Sequence, residues 1–141
     1  MQAEEEAGKE EAGKEEAGKE EVLEITRQML DAMYTANPDV HRRHSAEDMS
    51  SYEWYIAPQR IDGLDFHLRL IEGGGNGGAS SLDMLTPRVQ VYGDTASVNY
   101  TLLKTTLSQN APPQFSTMNE TRVFVKLEGI WKMVHLHKSP T

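Results

Sequence analysis

The feature that most constrains this chain is a regular alternation of apolar and polar residues through its second half. Around Val98 and Tyr100 every second residue is apolar, the pattern of a strand with one buried face. Gly93-Asp94 and Glu128-Gly129 interrupt the alternation as two-residue turns of the kind that needs positive φ. The sequence therefore predicts an antiparallel meander, with a further turn at 110–113. The predicted strands are 81–92, 96–107, 114–127 and 130–138.

The last two predicted strands carry polar side chains within the alternation. Arg122 and Phe124 are predicted to face away from Val123 and Val125. A buried arginine is costly unless it is paired, so Arg122 is expected either to form a structural ion pair, for example with Glu120, or to face a ligand. In the final strand, alternation places four side chains on one face: Trp131, Met133, His135 and His137.

The first half of the chain has helical spacing. Val22, Ile25, Met29 and Met33 are separated by three, four and four residues, which predicts one apolar face of a helix of about 17 residues starting near position 20. The pair Asn37-Pro38 should end it. A short helix is predicted over 38–44, a strand over 49–56, and a helix ending at 73–75.

Asp62 is predicted to cap that last helix, with Asp65 as its capping partner. Helices followed by a meander predict an α+β fold. We expect a cone, in which a curved antiparallel sheet wraps around the long N-terminal helix.

A five-residue repeat precedes this core. Glu-Glu-Ala-Gly-Lys occurs three times over 5–19, and each unit places a glutamate four residues before a lysine. Such pairs favour a helix, but the glycine in each unit opposes it by a similar amount. The repeat has no apolar stripe to bury. We therefore predict two parts, an acidic, half-helical tail or linker over 1–19 and a folded domain over 20–141. The alternative is that the repeat docks on a neighbouring subunit.

Composition and charge narrow the possible functions. The chain has no cysteine, which excludes a disulfide framework and cysteine-based zinc sites. The net charge is −8, of which −6 comes from nine Glu and three Lys in residues 1–21. With no basic surface stripe and no apolar run long enough for a membrane span, neither nucleic acid nor membrane is an expected partner. A cytoplasmic location is expected, because the acidic N-terminus fits no targeting peptide.

Two further motifs resemble ligand sites without their usual context. The glycines at 73, 75 and 78 match a dinucleotide-binding pattern, but they follow a predicted helix instead of a strand, so a surface loop is expected. His135 and His137 have the spacing of zinc ligands, but no third ligand is evident. We predict no cofactor and no metal.

Three blocks of sequence resemble the association (hub) domain of calcium/calmodulin-dependent protein kinase II, within the nuclear transport factor two-like superfamily. They are DGLDFH at 62–67, the segment 87–100, and ETRV at 120–123 followed by GxWK and VHxH at 129–137. The resemblance implies a homo-oligomeric hub of twelve or more subunits in two stacked rings, with kinase or regulatory segments as further partners. No kinase motif is present, so the chain would be a non-catalytic hub, either excised from a longer protein or a stand-alone relative.

The resemblance also implies a polar cavity. Arg122 and His67 match a cavity arginine and the cavity histidine, whereas Leu68 and Leu102 stand where two further arginines are expected. Small-anion binding is therefore not expected to be strong. Arg69, one position beyond Leu68, would point about 100° away on a helix.

Two alternatives stay open. One is a small acid/base enzyme of the same superfamily, such as an isomerase or dehydratase, for which the candidate residues are His67, Tyr100, Asp83 and His135. The other is a module whose pocket binds a ligand or peptide. Independently of both, the aromatic run with Tyr52, Trp54 and Tyr55 predicts a subunit contact, since large aromatic side chains dominate interface cores.

Overall fold

The computed structural model describes residues 2–74 and 79–141, which form three helices and a six-stranded sheet. The helices are α1 (Gln2–Tyr34), α2 (Asp39–Arg43) and α3 (Leu64–Glu72). The strands are β1 (Ser45–Glu53), β2 (Ile61–Asp62), β3 (Ser81–Tyr92), β4 (Thr95–Ser108), β5 (Ala111–Leu127) and β6 (Ile130–Pro140).

The sheet has the order β2-β1-β6-β5-β4-β3. The meander from β3 to β6 is antiparallel, as predicted, and the pair β1–β6 is parallel. The predicted tight turns lie between β3 and β4 and between β5 and β6, where Gly93 and Gly129 have φ of 61° and 80°. The predicted α+β fold with a long helix against a curved, unclosed sheet is confirmed.

The core forms where the apolar row of α1 meets the concave face of the sheet. Val22 and Met29 are fully buried, and they share one cluster with Val98 and Phe124 of the central strands. Burying a side chain of this size contributes about 1.5–3 kcal/mol relative to leaving it exposed. The spacing of three and four residues along α1 therefore determines which face of the helix the sheet covers.

Several predicted element boundaries are wrong, including the start of β1, which is Ser45 and not residue 49. β1 ends at Glu53, so the aromatic residues after it lie in a turn and not in the strand. α3 begins after Gly63, whose φ of 100° suits glycine, and no side chain caps this helix. Asp62 instead lies in β2 and accepts hydrogen bonds from Arg60, at 2.7 Å from Nε. The turn before β5 is shorter than predicted, since β5 begins at Ala111.

The predicted common face of the last strand is also wrong. Val123 pairs with His135 and Phe124 with Met133, so β6 has one extra residue, Val134, at this point. Such a bulge reverses which side chains face the core beyond it. Trp131 and Met133 point inward, but the two histidines lie on the outer face. Leu136 and Lys138 occupy the inner face in their place.

The acidic repeat is helical throughout the described residues. α1 is one helix of 33 residues, about 50 Å long at 1.5 Å per residue, and is therefore longer than predicted. Residues 2–17 are exposed, and Gly18 is the first buried position among those described. A Cβ on Gly18 would lie 3.5 Å from Val91 and 3.8 Å from Trp131, so the third glycine of the repeat lies against the sheet.

The glycine-rich segment after α3 lies mostly outside the described residues, and only Gly73 and Gly74 of it can be placed. Gly73 follows the last turn of α3, and its N–H donates to the carbonyl of Arg69. Within the described ranges, no helix combines the length and the apolar character that a membrane crossing needs.

The repeat helix can be tested at its glycines. Gly8 and Gly13 have no neighbouring atoms within 4 Å, so alanine fits at both positions and should favour the helix by up to ~1 kcal/mol each. We expect Gly8→Ala/Gly13→Ala to raise the far-ultraviolet circular dichroism signal of the helix at elevated temperature. Gly63→Ala, at a φ of 100°, should instead lower the unfolding midpoint. An unchanged signal in the double variant would show that the repeat is not helical in solution.

Candidate functional site

A buried polar cluster lies between the concave sheet and the helices, with Arg122 at its centre. The Arg122 side chain is fully buried, and its Nε donates to the hydroxyl of Tyr100 at 3.0 Å. That hydroxyl donates in turn to Glu120 Oε1 at 2.8 Å. The guanidinium also forms an ion pair with Glu120 at 3.4 Å. Arg122 therefore has the intramolecular partner that one of the two sequence interpretations expected.

Burial and charge shift the acid–base properties of this group. Burial disfavours charge on Arg122, but the neighbouring Tyr100 and Glu120 outweigh it, so the pKa of the guanidinium is raised further. Burial raises the pKa of Tyr100 well above its usual range, with Arg122 opposing the shift. Tyr100 is thus a neutral hydrogen-bond donor at physiological pH. A proton shuttle through its hydroxyl is not favoured.

A second buried ion pair lies beside the first, and the sequence interpretation missed it. Lys138 Nζ is 2.9 Å from Glu53 Oε1, and both side chains are 3% exposed. Lys138 also donates to the hydroxyl of Tyr55 at 2.9 Å. Burial alone would raise the pKa of Glu53, but the ammonium of Lys138 outweighs it and holds that pKa below its usual value. Sequence alternation could not identify this pair, because without the bulge in β6 it places Lys138 on the outer face.

Two histidines complete the interior. His41 of α2 and His67 of α3 are 0% and 4% exposed, with ring centroids 5.1 Å apart. Their ring nitrogens have no hydrogen-bond partner in the described structure. Burial, with help from the charge of Arg122, lowers the pKa of His41 to about 2 and that of His67 to about 4. Both rings are therefore neutral near pH 7, and His41 is an interior residue that the sequence interpretation did not identify.

His135 does not join this cluster. It lies half-buried on the outer face, where its Nδ1 is 2.8 Å from the hydroxyl of Ser50. The Tyr52 ring lies 5.8 Å from the His135 ring and 5.1 Å from the His137 ring. Burial lowers the pKa of His135, and the neighbouring His137 lowers it further. Across residues 2–74 and 79–141, no three histidine or carboxylate side chains are grouped as metal ligands.

The interior opens into a pocket of about 340 Å³. Its lining includes Leu102 and the side chains of Trp54 and Tyr55, whose rings meet edge-on at 5.1 Å. Glu120 and Lys138 also line this pocket. Among the described residues, the buried carboxylates at positions 53 and 120 match the buried cations at positions 122 and 138. The described interior therefore has no surplus positive charge for a small anion.

The two residues after His67 do not bring an arginine into the interior. Leu68 packs against the hydrophobic core, and Arg69 is exposed on the outside of α3.

The structure brings Arg122, Tyr100 and His67 together in the interior. It leaves the three aromatic residues of the predicted contact at the surface, with exposed fractions of 39% for Tyr52, 45% for Trp54 and 50% for Tyr55.

The central ion pair predicts a specific pattern of stability. Arg122→Met should lower the free energy of unfolding by about 3–5 kcal/mol, because it leaves the carboxylate of Glu120 buried without its cation. Adding Glu120→Gln should recover part of this loss. Urea unfolding of the single and double variants measures the coupling. Arg60→Met breaks the exposed Arg60–Asp62 pair instead and should cost less than about 1 kcal/mol. Equal losses in both single variants would contradict this assignment.

The buried histidines predict acid sensitivity. The pKa of His67 is about 4 in the folded chain against 6.5 ordinarily, so the unfolded state binds more protons between these values. The free energy of unfolding should therefore fall as the pH drops from 6.5 to 4, by about 3 kcal/mol from this residue. His67→Gln should flatten the dependence, and His137→Gln, at an exposed position, is the matched control. Urea unfolding at a series of pH values, at constant protein concentration, tests this, and an unchanged slope in His67→Gln would refute it.

Comparison with known proteins identifies the domain. The family model for the calcium/calmodulin dependent protein kinase II association domain matches residues 18–141. Calcium/calmodulin-dependent protein kinase type II of Caenorhabditis briggsae is 30% identical over 119 residues, which cover 84% of this chain and 22% of that protein. The chain thus spans about a fifth of the length of this relative.

Two solved structures with the same fold are similar to this chain. The association domain of C. elegans CaMKII has a TM-score of 0.79 and 29% identity, covering 89% of this chain and 98% of that one. A nuclear transport factor 2-like protein from Salmonella enterica has a TM-score of 0.70 at 22% identity, covering 86% and 89%, and shares the fold. The family match begins at Gly18, where α1 reaches the sheet, and includes the whole polar cluster. The chain belongs to the calcium/calmodulin-dependent protein kinase II association domain family.

Proposed function

We propose that this chain is a non-catalytic homo-oligomerisation hub that assembles into two stacked rings of twelve or more subunits in total. The observation that supports it most is the match to a kinase association domain over residues 18–141. In this proposal the hub organises a calmodulin-dependent kinase or acts as a stand-alone relative. The folded assembling unit is residues 20–141, and residues 1–19 extend from it.

A double ring requires two different contact surfaces on each subunit. One contact must repeat around the ring, and another must join the two rings through a two-fold axis. The described part of the chain exposes two separate apolar surfaces that are candidates for these roles. Exposed apolar side chains clustered on a surface are typical of protein contacts.

The first surface is the convex patch, formed by Leu85, Leu103, Leu107 and Phe115. The side chains of the convex patch lie on the outer face of β3, β4 and β5. This follows from the strand register, which pairs Leu85 with Thr101, Leu103 with Thr117, and Phe115 with Thr105. Leu107 is 61% and Phe115 67% exposed. A sheet face of this kind can pack against the sheet of a second copy.

The second surface is the aromatic cluster, formed by Tyr52, Trp54, Tyr55 and Ile56 at the end of β1. All four side chains are at least 36% exposed. Aromatic side chains of this kind anchor interfaces, because they bury a large area at low conformational cost. The aromatic cluster contains the contact residues expected from the sequence.

The interior supports a structural role over the alternative of an acid/base enzyme. Arg122 and Lys138 are each paired with a carboxylate, and Tyr100 is held as a neutral donor between Arg122 and Glu120. Asp83, the acidic candidate for catalysis, is exposed on β3. The candidate catalytic residues are therefore not assembled around one substrate position.

The mass of the particle in solution tests the proposal. Twelve subunits of 15.8 kDa give about 190 kDa, and light scattering on a sizing column should show this mass or a larger one. A monomer or dimer would refute the double ring. Removing residues 1–17 should leave the number of subunits unchanged, because this segment has no apolar stripe that a contact between subunits could bury.

A matched pair of variants locates one contact. Trp54→Ser should reduce the particle mass, because it removes an anchor of the aromatic cluster. Tyr92→Ser removes a more exposed aromatic side chain, 70% against 45%, that belongs to neither proposed surface, and should leave the mass unchanged. If Trp54→Ser leaves the mass unchanged as well, the aromatic cluster is not a necessary contact.

A further inference from the structure

A groove of about 390 Å³ lies between the repeat helix and the sheet, away from the two surfaces proposed for assembly. One wall is the face of α1 between positions 11 and 21. The other is the β3–β4 turn with Gly93 and Asp94, together with Lys126. The groove exists because α1 contacts the sheet from Gly18 onward, while the earlier residues continue straight into solvent.

The walls of this groove are acidic. Carboxylates line it from the helix and from the turn, against two lysines; these residues are Glu11, Glu15, Glu21 and Asp94, with Lys14 and Lys126. Glu11 and Glu15 are one helical turn apart, so their side chains lie on the same face of α1. Four carboxylates and two ammonium groups leave a net charge of −2, which favours a cationic occupant.

The floor of the groove is apolar and contains an unsatisfied donor. Val91 and Trp131 are 6% and 2% exposed and form this floor with Gly18. The indole Nε1–H of Trp131 is shielded from solvent and has no acceptor in the described part of the chain. An unpaired buried N–H is costly, so an acceptor brought to this place would be stabilising. The ammonium of Lys126 lies 5.7 Å from the centre of the Trp131 ring, so one cation of this chain already lies against the floor of the groove.

We propose that this groove binds a short basic peptide segment that also carries an aliphatic side chain. Its guanidinium or ammonium groups pair with Glu11, Glu15 and Asp94, and a backbone carbonyl accepts from Trp131. The aliphatic side chain covers the floor at Val91. The ten-residue separation of Glu11 and Glu21 is about 15 Å along a helix, which corresponds to about four or five residues of extended peptide.

Fluorescence anisotropy of a labelled hexapeptide of alternating arginine and leucine, titrated with the full chain, tests this proposal. Glu11→Gln/Glu15→Gln should weaken binding by roughly tenfold, because it removes two charge-assisted pairs. Glu6→Gln/Glu10→Gln is the matched control, since it removes the same charge at the same spacing from residues that do not line the groove. The control should retain the affinity of the parent chain within about twofold.

Several results would overturn the proposal. If the two double variants weaken peptide binding equally, the peptide is attracted to the acidic helix as a whole and not to the groove. Competition by spermine that is as effective as competition by unlabelled peptide would lead to the same conclusion. The absence of any saturable binding would equally reject the site. The particle mass, measured on the same samples, reports on the assembly independently, so that failure of the groove and failure of the hub are distinguishable.

Discussion

The structure depends on one buried cation at the point where helix and sheet meet. Arg122 is fully buried, and it contacts Tyr100 of β4, Glu120 of its own strand, and the sulfur atoms of Met29 in α1 and Met133 in β6. A buried ion pair does not necessarily add stability, but it penalises any arrangement in which the partners separate. Glu120 and Tyr100 satisfy the charge from within the sheet, and Met29 of α1 covers the guanidinium, so the buried pair lies directly beneath the helix.

The second buried pair has a different origin, the bulge in β6. An additional residue at Val134 turns His135 outward and brings Lys138 inward, where it meets Glu53 of the parallel neighbour β1. Without the bulge, His135 and His137 would share the inner face with Met133. The extra residue turns both histidines to the outer face and places Lys138, with its carboxylate partner, on the inner face. Within the described residues, the interior is left with equal numbers of buried carboxylates and buried Arg or Lys cations. Its pocket consequently differs from the positively charged cavity that the family resemblance implied.

The exterior divides into parts with different physical character. The convex patch and the aromatic cluster are apolar and suit contacts between copies of the chain. The first half of α1 is polar around its circumference and carries most of the net charge. Self-association and a charged extension can therefore coexist, because the acidic helix leaves the body at Gly18 and is separate from both apolar surfaces. We expect the charge on this extension to favour cationic partners and to keep neighbouring extensions apart.

The sequence by itself determined the elements whose signals are local. Spacing of three and four residues identified the buried face of α1, alternation identified the meander, and turn residues located its hairpins. It also placed Arg122 on the opposite face from Val123, and its short motifs identified the family.

Only the tertiary structure decided the bulge at Val134, the inward position of Lys138 and the partnership of His41 with His67. These depend on pairing between residues that are distant in the chain, which local propensity does not encode. For the repeat, the sequence left the choice between helix and coil open, because its ion pairs and its glycines nearly cancel in their effect on helix stability. Contact of Gly18 with the sheet anchors the continuous helix, because tertiary packing supplies the stability that propensity alone does not.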